Sequence, residues 1–467
     1  MLTQERAAAL AEAERSVIGE IWTSNRAYEN LVYLCDFVGN RWAGSDSERA
    51  GAAYLQAKAR EYGVQDVRLQ EFQHNGWTRG ATRLEITAPV QREVAAIALP
   101  YTPAAELEAE AIWVGQGEEE DFKRLEGQLA GKIVVSAAES TPGPGQRSSH
   151  RREKFGRAIA AGAAAFLFVN QNAGMMAITG ALAAGFPAEI PGLGLPKESG
   201  DYLVRLLNQG PVRLKIQLAA SFAMTSSFNV LGRVGPASAD GPFLLTSAHY
   251  DTHDVAVGAL DNTAGTVVVL EAMRALVPVA DRLPMPVRLA LFACEEVGLL
   301  GAWHYAEQAR AELERCRFVL NVDSAARGQP GNENLNLCCF PELVPYFEGV
   351  GREMAYQIPV KDTISAYADH FPFAVAGVPN ATMGATDASS GLIGRGWGHT
   401  PADTVDKVSP KALQATAATV ARLLLRMAYA ESWPGVAKSR EAIAATIALS
   451  PIGWYAEKFG RYPFQPQ

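Results

Sequence analysis

The stretch FLLTSAHYD, residues 243–251, decides how the second half of this chain is read. Residues 243–248 form an apolar run of strand length, and it ends on an imidazole, His249, and a carboxylate, Asp251. The theme then recurs. Residues 263–276 have helical spacing, and 287–293 read as a strand followed directly by Glu295 and Glu296. Residues 300–314 read as a helix, and 318–322 as a strand ending on Asp323. A helix over 341–356 and a short strand over 380–383 follow, then a long helix from 410 to about 430, with Ser409 as cap and Pro410 in its first turn. Strands alternating with helices predict an α/β fold, a mixed, mostly parallel twisted sheet flanked by helices.

In such sheets, sites gather beyond the carboxyl ends of the strands. His249 and Asp251 stand at i and i+2 and point to one side in extended chain. Asp251 can therefore accept a hydrogen bond from the free ring nitrogen of a metal-bound His249; the plainer reading is a turn aspartate. Asp261 sits among glycines in GALDNTAG, residues 258–265, just ahead of a helix. An aspartate there also serves as an N-cap. Glu295 and Glu296 repel each other and lose solvation after so apolar a strand. A metal supplies the missing positive charge, and because neighbours point apart, one can ligate while the other acts as a base. A solvated loop is the alternative. Asp323 repeats the pattern, and His399 lies in a loop rich in glycine from Gly391 onward. His249, Asp261, Glu296, Asp323 and His399 together supply two imidazoles, a carboxylate for each of two ions and one carboxylate to bridge them. Glu295 is left free to be a base.

The other histidines read differently. His253 is taken as a pocket residue or rejected ligand, His370 as a pocket-lining residue, and His304 as a packed or surface residue in mid-helix. His74 and His150 have no visible partner. Tyr367 offers a phenol that can steady an oxyanion, with an ordinary pocket-wall tyrosine as the equal alternative.

At 467 residues, two or three domains are expected. A net charge of −8 argues against a nucleic-acid surface. No run approaches the roughly 18 apolar residues of a membrane span, and the N-terminal twenty residues read as a helix, not a signal peptide. The five cysteines are scattered, without a Cys-x-x-Cys pair, and a reducing cytoplasm is the simplest reading. Residues 3–20, 24–38 and 47–62 read as helices, the third capped by Ser45, with strands at 67–72 and 82–87. Residues 89 to about 220 change texture to short strands, Gly/Pro-rich joints and one Ala-rich helix. That block looks like a domain inserted into another, and it holds none of the five ligands. The tail, 433–467, is too aromatic for plain disorder and is expected to pack on the body or on a second subunit.

The string His249-Tyr250-Asp251, Gly258 to Asn262, Glu295-Glu296-x-Gly298-Leu299-x-Gly301, Asp323, Asp369-His370-x-x-Phe373, Gly377-Val378-Pro379 and His399-Thr400-x-x-Asp403-Thr404 resembles the M28 family of metallopeptidases. Gly44-Ser45 resembles the family's N-terminal Gly-Ser. Val114-Gly115-x-Gly117, Asp121-Phe122, Gly131-Lys132-Ile133-Val134 and Lys154 with Ala161-Gly162-Ala163 resemble a protease-associated (PA) domain, which this family commonly carries at this point. The resemblance implies a zinc exopeptidase fold with an inserted mainly-β PA domain. The catalytic domain would take 1–90 and 221–432, the PA domain 91–220, and the tail 433–467. It implies two zinc ions, although N/O ligands also admit other divalent metals. His249 and Asp323 would hold one ion, Glu296 and His399 the other, and Asp261 would bridge, across a cis Asp261–Asn262 bond. Glu295 would be general base and acid, and Asp251, the partner of His249, is counted with it in the catalytic set. The implied activity is hydrolysis of the N-terminal peptide bond of peptides or dipeptides. The alternatives are a one-zinc, glutaminyl cyclase-like aminolysis and a non-catalytic binding protein of the transferrin receptor type. Thr252 to Val255 is similar to the dipeptide-cleaving carboxypeptidase Q branch, which carries tryptophan at His253 and aspartate at Asn262. Oligomeric state stays open, since the insertion and the aromatic tail both offer interface surface.

Overall fold

Three parallel strands, Cys316–Val322, Phe243–His249 and Val287–Phe292, form the centre of the sheet in the computed structural model, which describes residues 3–140, 148–237, 240–385 and 390–454. Asn380–Ala385 adds a fourth parallel strand beside Cys316–Val322. Their apolar runs are buried on both faces, the pattern of strands covered by helices on either side. On one face lie the helices Ala264–Leu276, Pro410–Tyr429 and Gln4–Trp22. On the other, Leu300–Gln308 and Phe371–Val375 cover a cluster that includes Phe243, Phe292, Tyr305 and Phe373. Each such side chain stabilises the fold by about 1.5–3 kcal/mol on full burial. Ser409 caps its helix as expected, its side chain accepting from the amide of Ala412, and Ser45 likewise accepts from Glu48. In the parallel register His249 pairs with Phe292 and Val322 with Met383, so the strands end side by side. That alignment brings their terminal side chains to one edge.

The flank of this centre is one long antiparallel ribbon. Gln65–Ala88 pairs with Arg213–Val234 over most of its length. Sequence patterning expects separate strands at 67–72 and 82–87, whereas the structure runs one strand through both. Pairing with the opposite backbone satisfies the intervening amides whatever the side chains are, with irregularities near Arg79 and Thr82. The expected boundary at 220/221 falls inside the strand Arg213–Val234. Ala105–Trp113 joins the ribbon, and Ile133–Ala137, Ala165–Val169 and Gly192–Leu195 continue the sheet in parallel. Three helices, Glu119–Arg124, Arg151–Ala160 and Lys197–Leu207, belong to this inserted part.

Two expectations change. The helical stretch Ala259–Arg282 is long and apolar enough, by length and composition, to cross a membrane, although no such run was expected. It owes its apolar surface to the core, where 78% of its most apolar window is buried. In the tail, Trp433 packs edge-on against Phe318 and Tyr346, and Ile443, Ile447 and Ile452 are buried. The tail therefore packs on the body through these residues, while Tyr455, Tyr462 and Phe464 lie outside the described residues.

Candidate active site

The segment that carries Asp261 is shaped by two glycines. Gly258 has φ +60°, and a Cβ there would fall 2.3 Å from Thr252 Cγ2. A Cβ on Gly265 would fall 2.5 Å from the Val322 carbonyl oxygen, so only glycine lets this helix start against the strand end. The Asp261–Asn262 peptide bond is cis. Asp403 fastens the segment from the far side, its carboxylate accepting the amides of Leu260 at 2.7 Å and Asp261 at 3.0 Å. Asp251 serves the other acidic segment. Its two oxygens accept the amides of Glu295 at 3.0 Å and Glu296 at 3.1 Å. The expected bond to His249 is secondary: His249 Nδ1 lies 3.5 Å from the Asp251 carboxylate and 3.2 Å from its backbone carbonyl. Asp251 is fully buried and so positions the glutamates without reaching substrate.

All five sequence-named donors converge. His249 Nε2 lies 3.5 Å from one oxygen of Asp261 and 3.7 Å from Asp323. His399 Nε2 lies 3.5 Å from the other oxygen of Asp261 and 3.2 Å from Glu296. Asp261 thus faces a different imidazole with each oxygen. Zinc bonds of about 2.0–2.1 Å in a tetrahedron separate neighbouring donors by roughly 3.3 Å, and these contacts fit that edge. The Nδ1 groups of both imidazoles donate to backbone carbonyls, Asp251 and Thr179, which turns each Nε2 lone pair toward the cluster. Donor type, spacing and tautomer therefore fit zinc. Glu295 stands with His249 and Asp323, all three donor atoms within 4.8 Å of one another, and His253 stands equally close to Glu296 and His399.

Burial works to raise both glutamates, and their neighbours separate them. Glu295 is pushed well above the usual carboxylate range by burial, with Glu296, Asp323 and Asp369 alongside outweighing His249. For Glu296, His253 and His399 overcome burial and hold it well below. Burial pushes His399 down to about 4, which keeps it in the neutral, ligating form. Their neighbours thus push the two adjacent glutamates in opposite directions.

The inserted part builds the opposite wall. His150, Arg151 and Arg152 line the same pocket as Glu295, Glu296 and His399. Arg151 and Arg152 are buried and both donate to the Ala181 carbonyl at 3.2 Å, and Arg151 has no carboxylate in ion-pair distance among the described residues. His150, read as partnerless, stacks on Tyr367 at 3.6 Å and accepts from the Arg152 amide through Nδ1. The Tyr367 hydroxyl donates to Glu153 at 2.8 Å, so it faces the insertion. Arg395 Nη1 donates to Asp261 at 3.2 Å and to His399 Nε2 at 3.1 Å. No sequence signal marked these arginines, because solvated surface arginines look the same. His74, also read as partnerless, meets Ser227 at 3.0 Å, and His304 stacks on Phe72. His370 is fully buried.

A family model described as Peptidase family M28 matches residues 229–424, and one described as PA domain matches 95–203. Aminopeptidase YwaD of Bacillus subtilis (strain 168) is 27% identical over 435 residues, 92% of this chain and 90% of that protein. Carboxypeptidase Q of Mus musculus is 26% identical over 311 residues, 64% of this chain and 65% of that protein. The structure of BSAP, a zinc aminopeptidase from Bacillus subtilis, superposes with a TM-score of 0.63 at 25% identity, covering 88% of this chain and 97% of that one. Paired donor clusters at the strand ends of this sheet, together with these matches, define a peptide hydrolase, a metallo-exopeptidase. The M28 match spans residues 229–424, and the PA-domain match, residues 95–203, lies ahead of it.

Proposed function

We propose that this protein removes N-terminal residues from peptides or dipeptides with two zinc ions. His249 and Asp323 would hold one ion and Glu296 and His399 the other, with Asp261 placed between the two imidazoles to serve both. The observation that carries this reading is Asp261, whose two oxygens each lie 3.5 Å from a different ligand imidazole. When bound, zinc polarises the scissile carbonyl and makes water a nucleophile near neutral pH. Glu295 takes the proton of the attacking water and delivers it to the leaving amine. Asp251 holds Glu295 and Glu296 in place through their amides. The acidic cluster receives the free α-amino group, which selects the N-terminal residue. All five cysteines are free thiols and buried, which supports a reducing, cytoplasmic setting as part of the same proposal.

A panel of aminoacyl-nitroanilides and dipeptides, assayed with and without chelator, tests the reading. Hydrolysis that chelator abolishes and zinc restores is the expected result, and chelator-resistant hydrolysis would overturn it. A one-ion aminolysis has one observation in its favour: the Arg395 guanidinium already bonds Asp261 and His399. One zinc per purified chain, with cyclised product, would favour that alternative.

A further inference from the structure

We infer that His253 is a further protein donor at the Glu296–His399 position, so that this ion is enclosed by four protein groups while the ion at His249 and Asp323 keeps an open place for water and substrate. The inference rests on the two-zinc reading above. His253 is 2% exposed. Its Nε2 lies 2.9 Å from Glu296 Oε2, yet off the line that a hydrogen bond requires, and its Nδ1 has no hydrogen-bond partner among the described residues. A buried imidazole so placed calls for an explanation. Two rings fix its orientation. Trp42 stacks on one face at 5.8 Å, and His399 meets it edge-on at 4.3 Å. The donor atoms of His253, Glu296 and His399 then lie within 4.8 Å of one another, and Asp261 lies 3.5 Å from His399. An imidazole nitrogen and a carboxylate oxygen brought this close without a hydrogen bond between them are arranged as two donors sharing a cation.

Zinc sites with four protein donors are closed and structural, whereas sites with three keep an exchangeable position. His253, Glu296, His399 and Asp261 make four. His249, Asp261 and Asp323 make three, with Glu295, the base, standing beside His249 and Asp323. The two ions are therefore unequal: one held tightly, the other labile and catalytic.

The test uses the full-length, zinc-loaded protein, its His253→Ala and His253→Asn variants, and dipicolinate as chelator. Zinc release is followed over time, and X-ray absorption counts imidazoles per zinc. In the wild type, one zinc should leave roughly 100-fold faster than the other. The loaded protein should show about 1.5 imidazoles per zinc, three rings over two ions, and the one-zinc form about 2. In the variants the two release rates should merge and the count fall to about 1. Equal release of both ions from an active wild type overturns the inference and leaves the two-zinc peptidase reading standing. So does an unchanged imidazole count in the variants, since His253 then only touches Glu296. A wild type that binds a single zinc or hydrolyses no peptide overturns the two-zinc reading itself. If the variants fail to fold, the wild-type imidazole count decides alone.

Discussion

His399 and Thr179 exchange two hydrogen bonds across 220 residues of sequence. His399 Nδ1 donates to the Thr179 carbonyl at 3.1 Å, and the Thr179 amide donates to the His399 carbonyl at 2.9 Å. Thr179 belongs to the inserted PA domain and His399 to the M28 domain, so the insertion sets the orientation of a ligand it does not contain. Replacing Thr179 with proline removes the amide donor and loosens the imidazole. Zinc affinity should fall about 10- to 100-fold, the usual cost of losing a group that orients a ligand. Competition with a fluorescent zinc indicator measures it, and an affinity within about 3-fold of wild type would show that the contact is idle.

Glu295→Gln keeps the size of the side chain and removes the proton acceptor. Turnover of a dipeptide should drop by about 10²- to 10⁴-fold while zinc content stays at the wild-type level. Kinetics with parallel metal analysis check this, and near-normal turnover would reassign the base.

Glu48 lies buried beneath the site, accepting from the Gly44 amide at 2.7 Å and from Ser227 at 2.5 Å. Burial pushes it from 4.5 up to about 8, with Asp251 adding to the effect. The folded state thus binds this proton more tightly than the unfolded chain. The resulting stability is complete below about 4.5 and is lost as pH rises through about 8. Glu48→Gln, permanently neutral, should be spared. Its Tm relative to wild type should climb from pH 6 to about pH 8 and level off above that in calorimetry, and a difference independent of pH would refute the assignment.

Arg151 lines the pocket with no acidic partner among the described residues, pinned through Nε to the Ala181 carbonyl. A guanidinium so placed suits a substrate carboxylate by paired, charge-assisted hydrogen bonds. Arg151→Gln should raise KM for dipeptides about 10-fold or more. The measurement compares Ala-Ala with its C-terminal amide in both proteins. Equal effects on the two substrates would mean that Arg151 does not read the carboxylate.

Much of the fold was legible because its central strands are apolar throughout and each ends on a charged or imidazole residue. His249, Glu296 and Asp323 follow such strands, Asp261 and His399 lie in glycine-rich segments, and the structure brings all five together. The ribbon Gln65–Ala88 was legible only in pieces, because its middle is held by backbone pairing and side-chain patterning does not report that. Asp251 was expected to meet His249, whose Nδ1 lies 3.5 Å from its carboxylate, and it also takes two amides that the expectation did not include. Spacing of i and i+2 points two side chains to one side, whereas the Glu295 and Glu296 amides reach it from a strand more than forty residues on.

The sequence by itself determined which residue types follow the central strands and that an extra block of different texture interrupts the chain. Those are local properties, set by hydrophobic period and by the order of donors along the chain. The tertiary structure alone decided that His253 lies against Glu296, that Thr179 steers His399, and that Arg151 and Arg152 wall the pocket. Each joins segments far apart in sequence or turns a ring through packing by Trp42. Such contacts depend on how whole elements dock, and that information is spread over the entire core and carried by no motif.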